Sequence, residues 1–420
     1  MDIKIYPNQL KGELTPPPSK SYLHRAIICA SLAKGKSSIK NILIGDDIQK
    51  TIEVFRSLGV KIEYLDNQLT IESKGKLVFK DNHAVYCGES GSTMRFLMPV
   101  LTNKKGTEFY GENSLLNRPL DLYENIYAKQ KNEFVRFDDY IYTEGEFQAY
   151  DYVIDDDSSS QFISGLLFVL PLLNKTSTIQ LKENFQSKKY IDMTIMMLEN
   201  FGIEIIQENE YQLKIPGNQT YKPANITIES DFSQAAFFIV GAVLNGSLTI
   251  NHINKNSLQP DKAILNIVEV AGGKITYQDN QIHVEKSMIN ISEIDLAQII
   301  DLGPILFLFA SQSNNITLFK NFERLVYKES DRLNNMLDIL ANMRVPYQLK
   351  DNQLMIDYQP NFSFNIVDSF SDHRIAMAIG IFATFSQTTT IIKNMEVINK
   401  SYPTFLNDLE NLGIRVEYLT

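Results

Sequence analysis

A pattern of about seventy residues recurs along the chain and limits the folds that the chain can adopt. Each copy reads as an amphipathic helix, a glycine, a short alternating strand, a polar turn and a second strand. Five copies are clear, and they read "TIEVFRSLGVKIEYLDNQLTIES", "IMMLENFGIEIIQENEYQLKIPG", "ILNIVEVAGGKITYQDNQIHVEKS", "MLDILANMRVPYQLKDNQLMIDY" and "FLNDLENLGIRVEYLT". We expect their helices to end in left-handed residues, a conformation that glycine and asparagine tolerate best. These residues are Gly59, Gly202, Gly272, Asn342 and Gly413.

The spacing predicts one further copy and a role for the N-terminus. The first two copies lie about two repeats apart, so a sixth copy is expected near Lys131, within "LYENIYAKQKNEFVRFDDYIYTE". The last copy stops at Thr420 without its return strand, whereas Asp2–Tyr6 alternates like a strand without a partner. If the N-terminal strand completes the last copy, residues 19–228 form one domain, and residues 1–18 plus 229–420 form the other.

A nearly all-apolar helix is predicted between successive copies. The six segments are "AIICASLA", "MRFLMPVLT", "FISGLLFVLPLL", "AAFFIVGAVL", "PILFLFAS" and "IAMAIGIFATF". A helix that is apolar on every side is a buried helix, so strands and amphipathic helices must surround these six. The expected fold is therefore α/β, with two domains of three small β/α units each.

Polar segments stand at the starts of these apolar helices, and several carry the wrong charge for that place. The segments are "PPSKSYLHR", "CGESGSTMR", "DDDSSSQF", "ESDFSQAA", "IIDLGP" and "SFSDHR". Serine and aspartate there are ordinary N-cap residues. Lys20, Arg25, Arg95 and Arg374, however, add positive charge where the helix dipole is already positive. Each cation could pair with an internal carboxylate, but four at equivalent positions favour a bound phosphate or carboxylate group.

Composition excludes several classes of function. The net charge of −10 disfavours a nucleic-acid partner, which cationic proteins hold by neutralising phosphates. No segment reaches the roughly 18 uninterrupted apolar residues of a membrane-spanning helix. "MDIKIYPNQL" lacks the pattern of a secretion signal. We therefore expect a cytoplasmic protein that binds small anions through local clusters of positive charge.

Together the motifs "PPSKSYLHRA", "SSSQF", "DFSQAAFF", "KESDR" and "SDHRIAMA" resemble the 5-enolpyruvylshikimate-3-phosphate synthases, a family of enolpyruvyl transferases. The resemblance runs from Lys20 to Lys400. It implies an inside-out α/β barrel of two domains, each with three βαβαββ repeats around buried parallel helices. It also implies transfer of the enolpyruvyl group of phosphoenolpyruvate to the 5-hydroxyl of shikimate 3-phosphate, with release of phosphate. Such enzymes need no metal or organic cofactor and are typically monomers.

Site residues follow from the resemblance, motif by motif. The first domain is implied to hold shikimate 3-phosphate and the second to clamp phosphoenolpyruvate. The residues implied to contact shikimate 3-phosphate are Ser159, Ser160, Gln161, Ser187 and Tyr190, and those implied to contact both substrates are Lys20, Ser21 and Arg25. The residues implied to contact the phosphate of phosphoenolpyruvate are Gly91, Ser92 and Arg118, and the clamp of the second domain is Arg332, Arg374 and Lys400.

The reaction type implies acid–base groups. Addition needs a base for the attacking hydroxyl and an acid for the methylene carbon, and elimination reverses both roles. The resemblance assigns Asp301 as the base, and it places Lys328 and Glu329 beside the methylene carbon. The proton donor is left open among Lys20, Lys328 and Glu329. Glu89 stands where the family usually has asparagine, so the charge balance at the phosphate site is open as well.

Two other functions are weighed against this one. Enolpyruvyl transferases that act on UDP-N-acetylglucosamine share the fold but typically carry a cysteine in a mobile loop of the first domain. The two cysteines of this chain are Cys29, inside an apolar helix, and Cys87, and "GENSLLNRP" contains none. A non-catalytic anion-binding repeat protein would leave Asp301, Lys328 and Glu329 without a role.

Overall fold

The computed structural model describes residues 1–155 and 159–419. The chain divides into two compact units. The N-terminal unit is Pro18–Ile228, and the C-terminal unit combines Met1–Pro17 with the residues from Glu229 onward. Pro18, which the sequence analysis groups with the C-terminal part, belongs to the N-terminal unit. The reason is local: the Pro17 carbonyl accepts a hydrogen bond from Asp231 N–H at 2.8 Å, while Pro18 leads directly into the Ser19 cap of the first helix.

The elements follow in chain order. The N-terminal segment of the C-terminal unit contributes β1 (Asp2–Tyr6) and β2 (Leu10–Leu14). The N-terminal unit contains α1 (Lys20–Leu32), β3 (Lys34–Lys40), α2 (Asp46–Ser57), β4 (Lys61–Leu65), β5 (Gln68–Lys74), β6 (His83–Tyr86), α3 (Gly91–Leu101), β7 (Thr107–Tyr110), α4 (Asn113–Leu116), α5 (Asp121–Gln130), β8 (Glu133–Arg136), β9 (Tyr140–Glu144), β10 (Asp151–Ile154), α6 (Ser160–Val169), β11 (Ser177–Leu181), α7 (Lys188–Asn200), β12 (Ile206–Asn209), β13 (Gln212–Ile215) and β14 (Asn225–Thr227).

The rest of the C-terminal unit repeats this order. It contains α8 (Phe232–Asn245), β15 (Gly246–Ile250), α9 (Ala263–Val270), β16 (Lys274–Gln278), β17 (Gln281–Glu285), β18 (Glu293–Asp295), α10 (Gly303–Ala310), β19 (Thr317–Lys320), α11 (Arg332–Asn342), β20 (Tyr347–Lys350), β21 (Gln353–Ile356), β22 (Ile366–Asp368), α12 (His373–Ala383), β23 (Thr390–Lys393), α13 (Phe405–Asn411) and β24 (Arg415–Leu419). Short 3₁₀ helices lie at Leu170–Leu172, Pro260–Lys262, Ile300–Leu302, Glu323–Tyr327 and Met395–Lys400.

The strands of the described residues form six four-stranded sheets of one topology, three in each unit. In every sheet the first two strands are parallel, and the third and fourth strands each pair antiparallel with the strand before them. The sheet orders are β14-β3-β5-β4, β6-β7-β9-β8 and β10-β11-β13-β12 in the N-terminal unit, and β2-β15-β17-β16, β18-β19-β21-β20 and β22-β23-β1-β24 in the C-terminal unit. The predicted two-domain fold with three repeats per domain is confirmed.

The N-terminal strand completes the last repeat, as predicted. β1 pairs antiparallel with β24, from Asp2 opposite Leu419 to Tyr6 opposite Arg415, and it pairs antiparallel with β23 on its other side. It therefore takes the place that the return strand of the hairpin takes in the other repeats. β2 and β14 likewise supply the parallel outer strands that begin the sheets of β15 and β3.

The repeat helices end as expected in five of the six copies. Gly59, Gly202, Gly272 and Gly413 have φ between 74° and 91°, and Lys131 has φ 58° in the sixth copy. The prediction for Asn342 is wrong, because the left-handed residue of that copy is Arg344, with φ 58°. α11 continues through Asn342, and the buried Met343 takes the position that Leu58 has in the first copy. The Arg344 and Val345 N–H groups then close the turn on Ala341 and Leu340.

Six buried helices form the centres of the two units, as their composition predicts. They are α1, α3 and α6 in the N-terminal unit and α8, α10 and α12 in the C-terminal unit, and their apolar side chains belong to one continuous core in each unit. Burying one large aliphatic side chain contributes about 1.5–3 kcal/mol. Among the described residues, no helix is both long and apolar enough to cross a bilayer.

Candidate active site

The start of α1 places the predicted site residue Lys20 beside an aspartate of α2. Ser19 caps α1, and Lys20 is its first residue. Lys20 Nζ lies 2.7 Å from an Asp47 carboxylate oxygen in the first turn of α2. For Lys20 the internal ion pair, the alternative in the sequence analysis, is therefore observed. Asp47 is the second aspartate of "IGDDIQK", a segment that carries no recognisable site motif.

Arg25 is buried, and its hydrogen-bond acceptors are neutral groups. Its Nε donates to Thr194 Oγ1 at 2.7 Å, and its two Nη atoms donate to the carbonyls of Ser21, at 2.7 Å, and Tyr190, at 3.1 Å. The guanidinium group also stacks over Phe96, 4.9 Å from the ring centre. Burial lowers the pKa of Arg25 to about 10, so the group stays charged at neutral pH. Arg25 thus brings a positive charge to the predicted contacts Ser21 and Tyr190.

Arg118 lies beside the start of α3 with hydrogen-bond donors that no described residue accepts. Arg118 is 7% exposed, yet its Nε and Nη2 find no hydrogen-bond acceptor among the described residues. A Cβ atom on Gly91, the first residue of α3, would lie 2.8 Å from Arg118 Nη1, so only glycine lets the guanidinium group approach this closely. The first N–H groups of a helix have no partner within the helix. Arg118 and this helix start therefore offer unused donors in one place.

Gln161 connects this start to that of α6. Ser159 caps α6, and Gln161 Nε2 donates to Ser92 Oγ at 3.1 Å. Gln161 Oε1 accepts from Arg95 Nη1 at 3.0 Å. Residues predicted from separate motifs, Gly91, Ser92 and Gln161, are thereby neighbours. Residues 156–158 of this segment, including Ser158, lie outside the described residues, and Ser160 is the first residue of α6.

Asp301 is the centre of an ion-pair cluster in the C-terminal unit. It lies in the 3₁₀ helix that leads into α10, and its Oδ1 is 3.1 Å from both Lys328 Nζ and Arg332 Nη1. Arg374 Nη2 lies 3.5 Å from Asp301 Oδ2. Burial acts to raise the pKa of Asp301, but Lys328, Arg374 and Arg332 together lower it well below its usual range. Asp301 is thus ionised at neutral pH, and for Arg374 too the internal ion pair is observed.

Arg332 is fully buried and held by carboxylates on several sides. Its Nε and Nη2 lie 2.7 and 3.3 Å from the two Asp372 oxygens, and Nη2 lies 2.5 Å from Glu329. Burial acts to lower the pKa of Arg332, but Asp372, Glu329 and Asp301 raise it above its usual range. Asp372 also caps α12, accepting from Arg374 N–H at 2.9 Å. Asp372 is not among the predicted site residues, although it stands in the polar segment "SFSDHR" at the start of α12.

The remaining predicted residues lie near helix ends of the two units. Burial lowers the pKa of Lys328, against the opposing effect of Asp301. Lys400 ends the 3₁₀ helix Met395–Lys400 and is 5% exposed. Ser187 precedes α7, and its carbonyl accepts from Tyr190 N–H at 3.1 Å. Among the described residues, no group of three or more His, Cys, Asp and Glu side chains is arranged to hold a metal ion.

Comparisons with known proteins agree on one family. The chain is 38% identical to the 3-phosphoshikimate 1-carboxyvinyltransferase of Clostridium novyi and 40% identical to that of Clostridium botulinum (strain Eklund 17B / Type B), in each case over 98% of this chain and 97% of the relative. An EPSP synthase structure from Acinetobacter baumannii superposes with a TM-score of 0.82 at 25% identity, covering 99% of this chain and all of that one.

A more distant structure shares the fold alone. The enolpyruvyl transferase NikO from Streptomyces tendae superposes with a TM-score of 0.81 at 15% identity, covering all of this chain and 99% of that one.

The sequence profile described as EPSP synthase (3-phosphoshikimate 1-carboxyvinyltransferase) matches residues 5–409. A match over almost the whole length, with relatives at about two-fifths identity, means that the chain belongs to the EPSP synthase family.

Proposed function

We propose that this chain transfers the enolpyruvyl group of phosphoenolpyruvate to the 5-hydroxyl of shikimate 3-phosphate and releases phosphate. Membership of the family supports the reaction class. The observation that carries the proposal furthest is Arg118, whose buried guanidinium group keeps two donors without acceptors beside the N-terminus of α3. Such a charge is costly to bury alone, whereas a phosphate group would satisfy it with charge-assisted hydrogen bonds.

The remaining residues of the N-terminal unit suit shikimate 3-phosphate. Ser159, Ser160 and Gln161 stand at the start of α6, where hydroxyl, amide and free N–H groups can bind a phosphate group. Arg25 adds a positive charge that neutral acceptors hold in place. In this proposal Ser187 and Tyr190 contact the same substrate, and Lys20 and Ser21 contact anionic groups of both substrates.

The cluster around Asp301 suits the proton transfers. In the addition step the 5-hydroxyl oxygen bonds to C2 of phosphoenolpyruvate, its proton passes to a base, and the methylene carbon gains a proton to become a methyl group. In the elimination step the C2–O bond to phosphate breaks and the methyl group loses a proton, which restores the double bond. Asp301 is ionised, and in this proposal it accepts the hydroxyl proton. Lys328, Arg374 and Arg332 lower its pKa and weaken it as a base, so it becomes a better base when substrate anions draw these cations away. Lys328, whose pKa burial lowers, and Glu329 are the candidates for the carbon proton from this unit, and Lys20 is the third candidate.

The cations of the C-terminal unit are proposed to hold the phosphoenolpyruvate anion. Arg332, Arg374 and Lys400 form this set. Arg332 is now paired with Asp372, Glu329 and Asp301, so a substrate carboxylate would compete with Glu329 for its Nη2. Binding and proton transfer are thereby linked, because releasing Glu329 from Arg332 makes its carboxylate a better base.

The proposal is tested by supplying phosphoenolpyruvate with each of two acceptors, shikimate 3-phosphate or UDP-N-acetylglucosamine, and following phosphate and the enol-ether product by phosphorus and proton NMR. We expect phosphate and product in equal amounts with shikimate 3-phosphate alone. Turnover with the UDP-sugar would favour the sister enzyme. Binding of shikimate 3-phosphate without phosphate release would favour a non-catalytic anion-binding protein.

A cytoplasmic location, the absence of a cofactor and a monomeric state stay predictions. Light scattering of the purified protein tests the monomeric state.

A further inference from the structure

His24 is part of the charged start of α1, yet the proposed reaction gives it no role. It is fully buried and lies next in sequence to Arg25. Its Nδ1 lies 2.9 Å from Thr51 Oγ1 on α2. The ring stands edge-on to Phe96 of α3, with centroids 6.4 Å apart and planes at 87°.

A chain of hydroxyl groups continues from His24 to the start of α3. Thr51 Oγ1 lies 2.8 Å from Thr93 Oγ1, and Thr93 Oγ1 donates to Ser90 Oγ at 2.8 Å. Ser90 is the N-cap of α3, and its Oγ also accepts from Thr93 N–H at 3.1 Å. The chain thus joins α1, α2 and α3, and each of its members lies at a helix start or within about two turns of one.

The direction of donation follows from the hydrogen-bond network. We assign the Thr93 hydroxyl hydrogen to Ser90 Oγ, at 2.8 Å, over the Asp47 carbonyl, at 3.4 Å; Thr93 Oγ1 then accepts from Thr51, and Thr51 Oγ1 accepts from His24 Nδ1–H. The other ring nitrogen, Nε2, is then an unprotonated atom, and it has no partner among the described residues. Burial lowers the pKa of His24 to about 3; Lys20 and Arg25 act in the same direction, and Asp47 opposes them. The imidazole is therefore neutral and remains a donor through Nδ1 across the physiological range.

We propose that the hydrogen-bonded chain from His24 through Thr51 and Thr93 positions the Ser90 cap and hence the phosphate-binding start of α3. This inference rests on the proposed function, in which Gly91, Ser92 and Arg118 bind the phosphate of phosphoenolpyruvate. Gly91 directly follows Ser90, so a rotation of the cap would move the Gly91 N–H relative to Arg118, which lies within 3 Å of a Cβ built on Gly91. A buried chain of hydrogen bonds that joins three helices favours one geometry and holds it rigidly.

Thr51→Val tests the chain at its middle link without touching a proposed substrate contact. The KM for phosphoenolpyruvate should rise about five- to tenfold, the effect expected for a misplaced group of buried donors, while the KM for shikimate 3-phosphate stays within about twofold. Thr51→Ser keeps the hydroxyl group and should restore the wild-type value. Thr93→Val breaks the same chain one link further and should reproduce the selective effect. Thr143→Val is the matched control, because Thr143 is a fully buried hydroxyl of the same unit that contacts Thr102 instead.

The outcomes separate this inference from the proposed function. If wild-type protein does not turn over its two substrates, the proposed function fails. If it does, but Thr51→Val and Thr93→Val keep the wild-type KM for phosphoenolpyruvate, as Thr143→Val should, the positioning role is refuted. A change in both KM values, or in stability with both KM values unchanged, refutes it equally, since a purely structural hydroxyl would behave in that way.

Discussion

Arg118 and Arg332 are two buried guanidinium groups with opposite surroundings. Arg332 has carboxylates of Asp372, Glu329 and Asp301 within ion-pair distance. Arg118 leaves Nε and Nη2 without acceptors among the described residues. A buried cation without a partner weakens the folded state, whereas a paired one is roughly neutral to stability. Replacing Arg118 by an apolar residue should therefore weaken substrate binding without weakening the ligand-free fold.

Arg118→Met should impair binding of phosphoenolpyruvate without weakening the ligand-free fold. We expect its KM for phosphoenolpyruvate to rise by a factor on the order of 10² or more, because a charge-assisted contact to phosphate is lost. The free energy of unfolding should stay the same or rise by about 1–2 kcal/mol, because buried donors without acceptors are removed. Steady-state kinetics and urea unfolding measure the two quantities. Arg136→Met, which removes an exposed arginine that pairs with Glu124, is the control and should keep the KM of wild type. A clear loss of ligand-free stability in Arg118→Met would contradict this account.

The cations of the site could be predicted from the sequence, but most of their partners could not. Lysine and arginine at the starts of buried helices can be recognised from the sequence alone, because the helix dipole disfavours positive charge there. The carboxylates that meet them come from other helices: Asp47 of α2 pairs with Lys20, and Asp372, at the start of α12 in the next repeat, pairs with Arg332. Their pairing depends on side-chain directions that helix periodicity does not specify, so an external anion was favoured for Lys20 and Arg374 where an internal carboxylate is present.

At the scale of elements, the start of α12 shows one carboxylate serving two purposes. Asp372 caps the helix through Arg374 N–H and holds Arg332 Nε and Nη2. Asp372→Asn keeps a capping oxygen but removes the charge opposite a fully buried arginine. The free energy of unfolding should fall by about 3 kcal/mol, the usual cost of breaking a buried ion pair on one side.

The measurement for Asp372→Asn is chemical unfolding followed by circular dichroism. Asp338→Asn is a suitable control, since Asp338 is an exposed acid on α11. Surface changes of this kind usually lie within about 0.5 kcal/mol of wild type. A loss no larger than that in Asp372→Asn would show that Asp301 and Glu329 alone compensate Arg332.

A buried acid that contacts the start of α8 from the 3₁₀ helix Pro260–Lys262 should make stability depend on pH. Asp261 is 1% exposed and accepts a hydrogen bond from Ser233 Oγ of α8, while its Oδ1 has no partner among the described residues. Burial raises its pKa to about 7; Arg374 opposes the shift, and Asp301 and Asp231 add to it. Because the folded pKa exceeds the unfolded value, this group stabilises the fold fully at low pH, and that contribution is lost as the pH rises through about 7.

Asp261→Asn should therefore gain stability relative to wild type as the pH increases. Between pH 5 and pH 8 the difference in unfolding free energy should grow by about 2–3 kcal/mol in favour of the variant. Urea titrations over this range measure it. Asp279→Asn, in an exposed turn, should follow wild type at every pH. A difference that shrinks with rising pH would contradict the assignment of the buried acid.

The ends of the repeat helices show how far the repeat pattern predicts the position of the left-handed residue. Four glycines and Lys131 adopt the left-handed conformation at the expected places. In the copy that contains α11 no glycine marks the helix end, and Asn342 is the residue whose type best tolerates that conformation. Arg344 takes the position instead, since burying Met343 fixes the phase of the helix. Packing of the apolar face therefore outweighs the local preference of one residue.

At the scale of the whole molecule, the chain termini meet in one sheet. β1 lies between β23 and β24, with Ile3 and Ile5 fully buried. The pairing of β1 with β24 could be predicted by counting strands. The last repeat lacks one strand, and the N-terminal strand has no partner within another repeat. The three repeats of each unit could be recognised in the sequence because every repeat has the same pattern of apolar positions.

Ile5→Ala tests whether the N-terminal strand is an integral part of the C-terminal unit. Removing these buried methyl and methylene groups should lower the stability of that unit by about 3 kcal/mol. Hydrogen exchange should quicken in β23 and β24 and remain unchanged in β3 and β5 of the N-terminal unit. Lys4→Ala, on the opposite face of the same strand, should have little effect on either. Equal protection of β24 in wild type and Ile5→Ala would show that β1 contributes little.

The central claim is that one ionised carboxylate at the start of a buried helix takes the proton of the attacking hydroxyl. Asp301→Asn keeps the shape of that side chain and removes its charge. The most direct measurement is the rate of phosphate release from shikimate 3-phosphate and phosphoenolpyruvate, set beside calorimetric titration of shikimate 3-phosphate alone. The account predicts that turnover falls by a factor on the order of 10³ or more, at the upper end for a positioned base, while shikimate 3-phosphate still binds. Turnover within tenfold of wild type would contradict it.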